Sequence, residues 1–224
     1  KSKIIINKFK DKMPIKAYYG EKEGIDEAII FLTNKASGDF IWWLGDDYLS
    51  TNAIKKVLAV IKKDSSVSFI WANYKIISTN KKAVDQKNNR YFKSKAEILD
   101  LVGPAIGFLS STILKTSLAK KSLQIAKDYK GTFFSNLYIV CFVIAKSKKT
   151  FLINDTVVVC DITNREEMTK IYIDRNGNNI NKGVEIWTDT FPAIINIFQE
   201  SFGQTASKKV IEKSLACAIK GLIV

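Results

Sequence analysis

Residues 36–49 of this 224-residue chain read Ala-Ser-Gly-Asp-Phe-Ile-Trp-Trp-Leu-Gly-Asp-Asp-Tyr-Leu. The Ser-Gly pair is a turn signal, and the continuous apolar run at 40–44 predicts a central strand buried on both faces. Asp46 and Asp47 come where that strand should end. Ligands of open α/β sheets bind outside the carboxyl ends of the strands, so the pattern places two adjacent carboxylates at a typical binding position.

Two interpretations of the Asp46-Asp47 pair follow from the residues alone. Two carboxylates at a strand end can hold a hard divalent cation such as Mg²⁺ or Mn²⁺, and the cation can hold a diphosphate. Alternatively, the pair is a polar turn after a buried strand, and Ser50 or Thr51 caps the next helix. The pair by itself leaves both interpretations open.

The composition is that of a folded, basic protein. Apolar residues make up 46% of the chain and charged residues 25%, which is ordinary for a globular protein and argues against disorder. Lys and Arg number 35 against 22 Asp and Glu, which gives a net charge of +13. Arginine, the residue suited to bidentate phosphate or base contacts, occurs only at Arg90, Arg165 and Arg175. The dispersed lysines therefore indicate general surface charge, and we expect no nucleic-acid partner.

The absence of histidine narrows the chemistry of the chain. Ser-His and Cys-His nucleophiles and histidine metal ligands are all excluded. The cysteines Cys141, Cys160 and Cys217 are far apart in apolar segments, which predicts buried thiols in a reducing compartment and no zinc site. The longest apolar stretch, at 132–145, is too short and too interrupted to span a bilayer. The expected location is cytoplasmic.

Periodicity and turn signals predict strands and helices along the rest of the chain. We expect short strands at 15–19 and 67–77 and a polar loop at 78–93, a length at which loops are often functional. Ser94 and Glu97 form a capping box that starts a helix. The helix after the two aspartates should bury one face, formed by Ile54, Val57, Leu58 and Ile61. Further predicted elements are an apolar helix at 133–145, strands at 151–153, 157–160 and 171–173, a turn at 176–179, and amphipathic helices around 187–202 and 208–222.

Several blocks of the sequence resemble one known family. The order helix, Gly-Asp-aromatic-Ile-Trp-Trp-Leu, Gly-Asp-Asp, helix resembles the family 2 glycosyltransferases of GT-A fold, in particular the bacterial branch in which Leu-Gly-Asp-Asp carries the metal motif. Gly-Ile-Asp at 24–26, Gly-Phe-Leu-Ser-Ser at 107–111 and Tyr-Lys-Gly-Thr at 129–132 are similar to the same branch. The resemblance covers roughly residues 14–160.

The resemblance implies an α/β fold of the GT-A type, a Rossmann-like mixed sheet flanked by helices. It implies a catalytic domain at 1–162 and a mostly helical extension at 163–224. In the family, further strands that carry much of the nucleotide-base pocket precede the point at which this sequence starts. We therefore expect this sequence to be a fragment that lacks its N-terminal portion.

The resemblance also implies roles for site residues. Asp47 would ligate the metal, Asp46 would contact the ribose or the metal shell, and Asp26 would lie near the nucleotide. From the residues alone, Asp26 is a first-turn carboxylate that complements the dipole of its helix. Segment 107–114 would line the acceptor side of the cleft; otherwise it is a buried connection.

The catalytic base is the point where this chain departs from the family. An inverting transfer needs a base for the acceptor hydroxyl, and many members place a carboxylate at the start of the helix that here begins near Gly131. This chain has Asn136 in that region, and an amide cannot act as a base. Asp128 is the nearest carboxylate and becomes the base candidate.

The implied activity is transfer of a sugar from a nucleotide-sugar donor, bound with Mn²⁺ or Mg²⁺, to a hydroxyl acceptor. The acceptor would be a cell-surface polysaccharide or a lipid-linked glycan. A nucleotidyltransferase-like enzyme and a non-catalytic basic binding module are the alternatives. The Lys-rich C-terminal helix could contact the inner face of the membrane peripherally. In the other interpretation, Leu215, Ile219 and Leu222 dock it on the catalytic domain.

Overall fold

The computed structural model describes residues 2–18, 24–160 and 184–222 as a mixed α/β structure. The strands are β1 (Phe40–Trp42), β2 (Tyr48–Leu49), β3 (Val67–Ile76), β4 (Arg90–Tyr91), β5 (Thr112–Lys115) and β6 (Lys149–Cys160). The α-helices are α1 (Ser2–Phe9), α2 (Gly24–Lys35), α3 (Ala53–Lys63), α4 (Lys95–Val102), α5 (Thr116–Ala126), α6 (Ser135–Lys146), α7 (Val184–Phe202) and α8 (Gln204–Leu222).

The strands form one sheet in the order β1-β5-β3-β6-β2, and β4 also pairs with β6. β3 and β6 are parallel, whereas β5 runs antiparallel to both of its neighbours, β1 and β3. As a result β1, β3 and β6 share one direction, and their carboxyl ends lie at the same edge of the sheet. The segment that enters β5 lies at that edge too, which brings residues from distant parts of the sequence together there.

β3 is buried on both faces. Phe69 and Trp71 pack into the larger core with helices α2 and α4 to α8, while Ile70 and Ala72 pack with α3 on the opposite face. This alternation follows from the two-residue period of a strand, and it explains the continuous apolar sequence of β3.

Cys141 and Cys160 are buried, as predicted, and burial raises the pKa of the Cys141 thiol.

The prediction of a central strand at residues 40–44 is wrong in two respects. The strand ends at Trp42, and within the described sheet β1 pairs only with β5, so it is an outermost strand and not a central one. Leu44 is 49% exposed. The aromatic run reflects two tryptophans that serve different neighbours: Trp42 Nε1 donates to Ser110 O, and Trp43 Nε1 donates to Thr33 Oγ1 of α2.

Other expected elements differ in detail. Residues 15–18 have no regular secondary structure, and the two strands expected at 151–153 and 157–160 are one strand with an irregular register opposite β3. Of the expected face of α3 only Val57 is buried; Ile61 is half-buried, and Ile54 and Leu58 are 59% and 46% exposed. The N-cap at Ser94 is confirmed by the Glu97 N–H, which donates to Ser94 Oγ at 3.1 Å, while the Glu97 carboxylate accepts from Lys93 N–H. The strand and turn expected at 171–179 lie outside the described residues.

The two last helices pack on the rest of the chain. α7 continues through Pro192 and contributes Ile194, Ile197 and Phe198 to the larger core. α8 docks through the buried Ser207 and Val210. Because these helices share that core, the boundary predicted at residue 162 stays a prediction about domain organisation.

The lysines of α8 are partly engaged by the protein itself. Lys209 Nζ lies 2.9 Å from Asp100 Oδ2, and Lys213 Nζ donates to Asp100 O at 2.5 Å. Leu215, by contrast, is 44% exposed. Peripheral membrane contact through this helix stays a prediction. In the described part of the chain no helix has the length and apolar character needed to cross a membrane.

A network of buried amides ties the polar segment 78–93 to the sheet. Asn73 Nδ2 donates to Val84 O at 2.6 Å and to Asn154 O at 3.1 Å, and Val84 N–H donates to Asn73 Oδ1 at 3.2 Å. Asn154 Oδ1 accepts from Gln86 N–H, and Asn89 Oδ1 accepts from Asn154 N–H. Asn73 lies where the β3–β6 register shifts, so its amide pairs backbone groups that the ladder leaves out.

We expect Asn73→Ala to lower the free energy of unfolding by at least about 2 kcal/mol, because a buried polar group without a partner costs about 1–3 kcal/mol. The measurement is urea unfolding followed by circular dichroism. Asn88 is exposed in the same segment, so Asn88→Ala is the matched control and should stay within about 0.5 kcal/mol of the parent. Equal stability of the two variants would contradict a structural role for the network.

Candidate functional site

The turn that carries Asp46 and Asp47 leaves β1 at the edge where β5 begins. In the β1–β5 ladder Phe40 pairs with Lys115 and Trp42 pairs with Ile113. Continuing this antiparallel register beyond the ladder places Gly45 opposite Ser110. The hydrogen bonds that Gly45 and Trp42 make with Ser110 therefore follow from the pairing of the strands.

Ser110 connects the two sides of this edge. Its Oγ accepts a hydrogen bond from Gly45 N–H at 3.1 Å and donates one to Asp47 Oδ2 at 2.5 Å. Its carbonyl oxygen accepts from Trp42 Nε1 at 2.9 Å. The far end of the turn is held as well, because Ser50 donates to Val157 O through its N–H and to Thr156 O through its hydroxyl. The turn is thus anchored on both sides of the aspartates.

The two aspartates differ in their surroundings. Asp46 is exposed, whereas Asp47 is half-buried and holds the bond from Ser110. Within the described residues neither carboxylate forms an ion pair with a lysine or an arginine. The turn therefore presents two carboxylate groups that no lysine or arginine of the described part of the chain pairs with.

The donor set fits a hard divalent cation. A Cβ at Gly45 would lie 3.6 Å from Ser110 Oγ and 3.8 Å from Asp47 Oδ2, so the glycine leaves the space beside the carboxylate open. Carboxylate oxygens are the ligands that Mg²⁺ and Mn²⁺ prefer, and Mg²⁺ commonly uses one or two carboxylates together with waters and phosphates. The residues that the structure describes contain no group of three acidic, cysteine or histidine side chains around one point. Asp46 and Asp47 are the carboxylates that could hold a cation at this turn, and the metal site stays a prediction.

Helix α3, which we predicted after the two aspartates, begins without a side-chain cap from Ser50 or Thr51. Asn52 lies at the N-cap of α3, with φ of 64°, and its side chain makes no capping bond. The Ser50 hydroxyl, one of the two expected caps, is used on β6. The Ser50 side chain therefore holds the turn to β6, while the Ser50 carbonyl oxygen accepts from Ala53 N–H at the start of α3.

Asp26 is a buried carboxylate that holds the start of α6. It is 5% exposed; its Oδ2 accepts from Phe133 N–H at 3.0 Å and its Oδ1 from Ser135 N–H at 3.1 Å. Phe133 has φ of 65°, and the left-handed region costs a non-glycine residue roughly 1–2 kcal/mol. The positive end of the α6 dipole stabilises the buried charge. These contacts give Asp26 a structural role, and its role near a nucleotide stays a prediction.

Hydrogen bonds and short stretches of backbone connect Asp26 with Asp47. Ser135, which bonds Asp26, is followed by the buried Asn136, whose Nδ2 donates to Gly107 O at 2.8 Å. Gly107 begins segment 107–111, in which the Ser110 hydroxyl donates to Asp47 Oδ2. The structure therefore brings the Gly-Ile-Asp block, the start of α6, segment 107–111 and the Asp-Asp turn into one connected region.

Asp128 lies on the short turn between α5 and α6 and is exposed. Beside it Tyr129 and Tyr138 stack with ring centroids 5.1 Å apart, and the Tyr129 hydroxyl donates to Glu200 Oε2 at 3.0 Å. Burial, the nearby Glu200 and Asp128 together raise the pKa of Tyr138. The phenols therefore stay neutral at physiological pH, and Asp128 is the exposed carboxylate of this turn.

The contact between Ser110 and Asp47 was not anticipated from the sequence. The signal was present, since Ser110 lies in a block that resembles the family and directly precedes a strand. The missing information was the pairing of β1 with β5, because 63 residues separate Ser110 from Asp47.

Comparison with solved structures identifies the fold class. The crystal structure of S. aureus TarS 1-349 in complex with UDP-GlcNAc matches with a TM-score of 0.66 at 14% identity, covering 96% of this chain and 59% of that one. TarS 1-349 in complex with UDP matches with a TM-score of 0.64 at 13% identity, covering 96% and 57%. A longer TarS structure gives 0.60 at 16% identity, covering 96% and 35%. This chain thus spans less than two thirds of each of these proteins.

At this level of identity the similarity establishes the fold, which is that of the GT-A glycosyltransferases, as the sequence predicted. No protein-family model matches the sequence, and the comparison with curated proteins gives no match.

We expect Asp26→Ala to lower the free energy of unfolding by about 2–4 kcal/mol, because hydrogen bonds to a charged group contribute about 1.5–3 kcal/mol each. Asp26→Asn should lose less, since one amide oxygen still accepts a bond. Urea unfolding provides the measurement. The matched control is Glu27→Gln, which breaks only the partly exposed ion pair with Lys130 and should change stability by about 0–1 kcal/mol. Equal losses in Asp26→Ala and Glu27→Gln would refute this role.

Proposed function

We propose that this protein is a metal-assisted glycosyltransferase of the family 2 type, which transfers a sugar from a nucleotide-sugar donor to a hydroxyl acceptor. The observation that carries the proposal is the placement of Asp46 and Asp47 at the carboxyl end of β1 in a GT-A fold. The turn is anchored by Ser110, and among the described residues no lysine or arginine forms an ion pair with its carboxylates. Ligands of open α/β sheets bind at this edge, which supports the same assignment.

The chain's own residues supply binding and orientation. Asp47 would hold the divalent cation, and Asp46 would support it or contact the donor ribose. When bound, the cation neutralises charge that develops on the departing diphosphate. Asp26 fixes the start of α6 beside segment 107–111, and through it the wall of the cleft on the acceptor side.

The proposed donor is a uridine diphosphate sugar. Its support comes from the two similar TarS structures, whose bound molecules are UDP and UDP-GlcNAc. The proposed acceptor is a hydroxyl of a cell-surface polysaccharide or a lipid-linked glycan, and the net charge of +13 would favour an anionic one. The natural donor and acceptor are properties of the protein as a whole, so both should be tested with the whole protein.

We expect Asp47→Asn to abolish Mn²⁺-dependent UDP binding and sugar transfer, because the amide keeps the size of the side chain and loses the charge that holds the cation. Isothermal titration with UDP and Mn²⁺ and a donor-turnover assay measure the two effects. The fold should persist with a loss of about 1 kcal/mol, because the amide oxygen can still accept from Ser110 but the bond loses its charge. Asp46→Asn should weaken donor binding by less.

Asp85→Asn is the matched control for these variants. Asp85 is an exposed aspartate of segment 78–93, and the same change there should leave UDP binding and turnover unaltered. An Asp47→Asn protein with Mn²⁺-dependent turnover within a few-fold of the parent would place the metal site elsewhere.

We further propose Asp128 as the general base, since it is the exposed carboxylate of the turn before α6. Removing a general base lowers turnover by about 10²- to 10⁴-fold. Asp128→Asn should therefore reduce kcat by that order and leave UDP affinity unchanged, in contrast to Asp47→Asn. Pre-steady-state and equilibrium measurements separate the two effects. Normal kcat in Asp128→Asn would exclude this residue as the base and leave the metal site untouched.

A further inference from the structure

The Ser110 side chain joins the core of the sheet to the exposed turn. Ser110 is fully buried, whereas Asp47 is half-buried and Asp46 is exposed. A serine hydroxyl has a single proton to donate. Because Ser110 Oγ accepts from Gly45 N–H at 3.1 Å, that proton is directed to Asp47 Oδ2, 2.5 Å away. The Gly45 N–H thus fixes the orientation of the Ser110 hydroxyl, and the hydroxyl fixes the orientation of the Asp47 carboxylate.

We infer that Ser110 is a positioning residue for the divalent cation: it holds the Asp47 carboxylate in the orientation that binds the metal. The inference rests on the proposed function, because it concerns the same site. Ser110 would not itself be a ligand, since its proton and one lone pair are already engaged by Asp47 and Gly45.

The physical reason is preorganisation. The terminal torsion of an aspartate is broad, so an unsupported carboxylate on a turn loses rotational freedom when it binds a cation. The bond to Oδ2 removes much of that freedom in advance. Within the described residues Asp47 Oδ1 has no hydrogen-bond partner, and it stays available to a cation.

The chemistry of the donor matters as well. A lysine at this position would neutralise the carboxylate and compete with the metal. A neutral hydroxyl orients the carboxylate and leaves its charge in place, and a hydrogen bond from a hydroxyl to a charged oxygen is among the stronger kinds. Ser110 therefore combines orientation with an undiminished negative charge.

Ser111 provides the matched comparison. It is the next residue, it is also fully buried, and its Oγ has no hydrogen-bond partner in the described part of the chain. Ser111→Ala and Ser110→Ala thus remove the same atoms from neighbouring buried positions. Only the change at Ser110 breaks the contacts with Gly45 and Asp47.

The test is Mn²⁺ binding to the full chain, followed by the electron paramagnetic resonance signal of free Mn²⁺, with the metal alone and with UDP present. Loss of a hydrogen-bond partner of a metal ligand lowers metal affinity by about 10- to 100-fold, and we expect this loss in Ser110→Ala. Ser111→Ala should bind like the parent. Ser110→Thr keeps the hydroxyl and should recover most of the affinity, a result that a purely structural role does not predict.

Three outcomes would overturn the inference. They are parent-like Mn²⁺ affinity in Ser110→Ala, equal losses in Ser110→Ala and Ser111→Ala, and a Ser110→Thr protein no better than Ser110→Ala. Circular dichroism reports the folding of each variant. If Ser110→Ala does not fold, Ser110→Cys replaces it, because a thiol has a similar size and is a weak donor. Weaker Mn²⁺ binding in Ser110→Cys would support the inference, and parent-like binding would refute it.

The result is separable from that of the proposed function. Ser110-dependent Mn²⁺ binding in a protein that transfers no sugar would support this inference and contradict the glycosyltransferase. A parent chain that transfers sugar and binds no Mn²⁺ would contradict this inference and the metal assistance, and would leave the sugar transfer in place.

Discussion

The hydrogen bonds of the Ser110 hydroxyl join the end of β1 to the start of β5 at the edge where the site lies. They arise from the register of the β1–β5 ladder, which places Gly45 opposite Ser110. Two polar groups of the turn, a backbone N–H and a carboxylate, are satisfied by one buried side chain. An exposed turn thereby acquires a defined geometry from the interior of the sheet, and the chemistry that we propose for Asp47 depends on it.

A second buried polar group, the Asp26 carboxylate, fixes the start of the neighbouring helix α6. The Asp26 carboxylate reaches from α2 to two N–H groups at the start of α6, including that of Phe133 with its positive φ. A buried charge is unfavourable unless it is paired or hydrogen-bonded. Here both oxygens are bonded, and the helix dipole adds a favourable field. The strained entry to α6 and the buried carboxylate therefore stabilise each other.

The same principle explains segment 78–93. A long polar segment with short side-chain amides has the composition of a loose loop. Asn73 and Asn154 nevertheless lie inside the sheet, where the irregular β3–β6 register leaves backbone groups without ladder partners. Their amides bond Val84 and Gln86 and so tie the segment down. Buried polar groups in this protein thus connect segments that are remote in sequence.

The sequence by itself determined the class of fold, most elements and the position of Asp46 and Asp47 at a strand end. Local patterns carry that information: the apolar run, the Gly-Asp-Asp block and the capping box at Ser94. Only the tertiary structure decided that β3 pairs on both sides and β1 on one side, that Asp26 bonds the start of α6, and that Ser110 holds Asp47. These facts depend on strand order and register, because a hydrogen bond across more than 60 residues exists only once the sheet has brought its ends together.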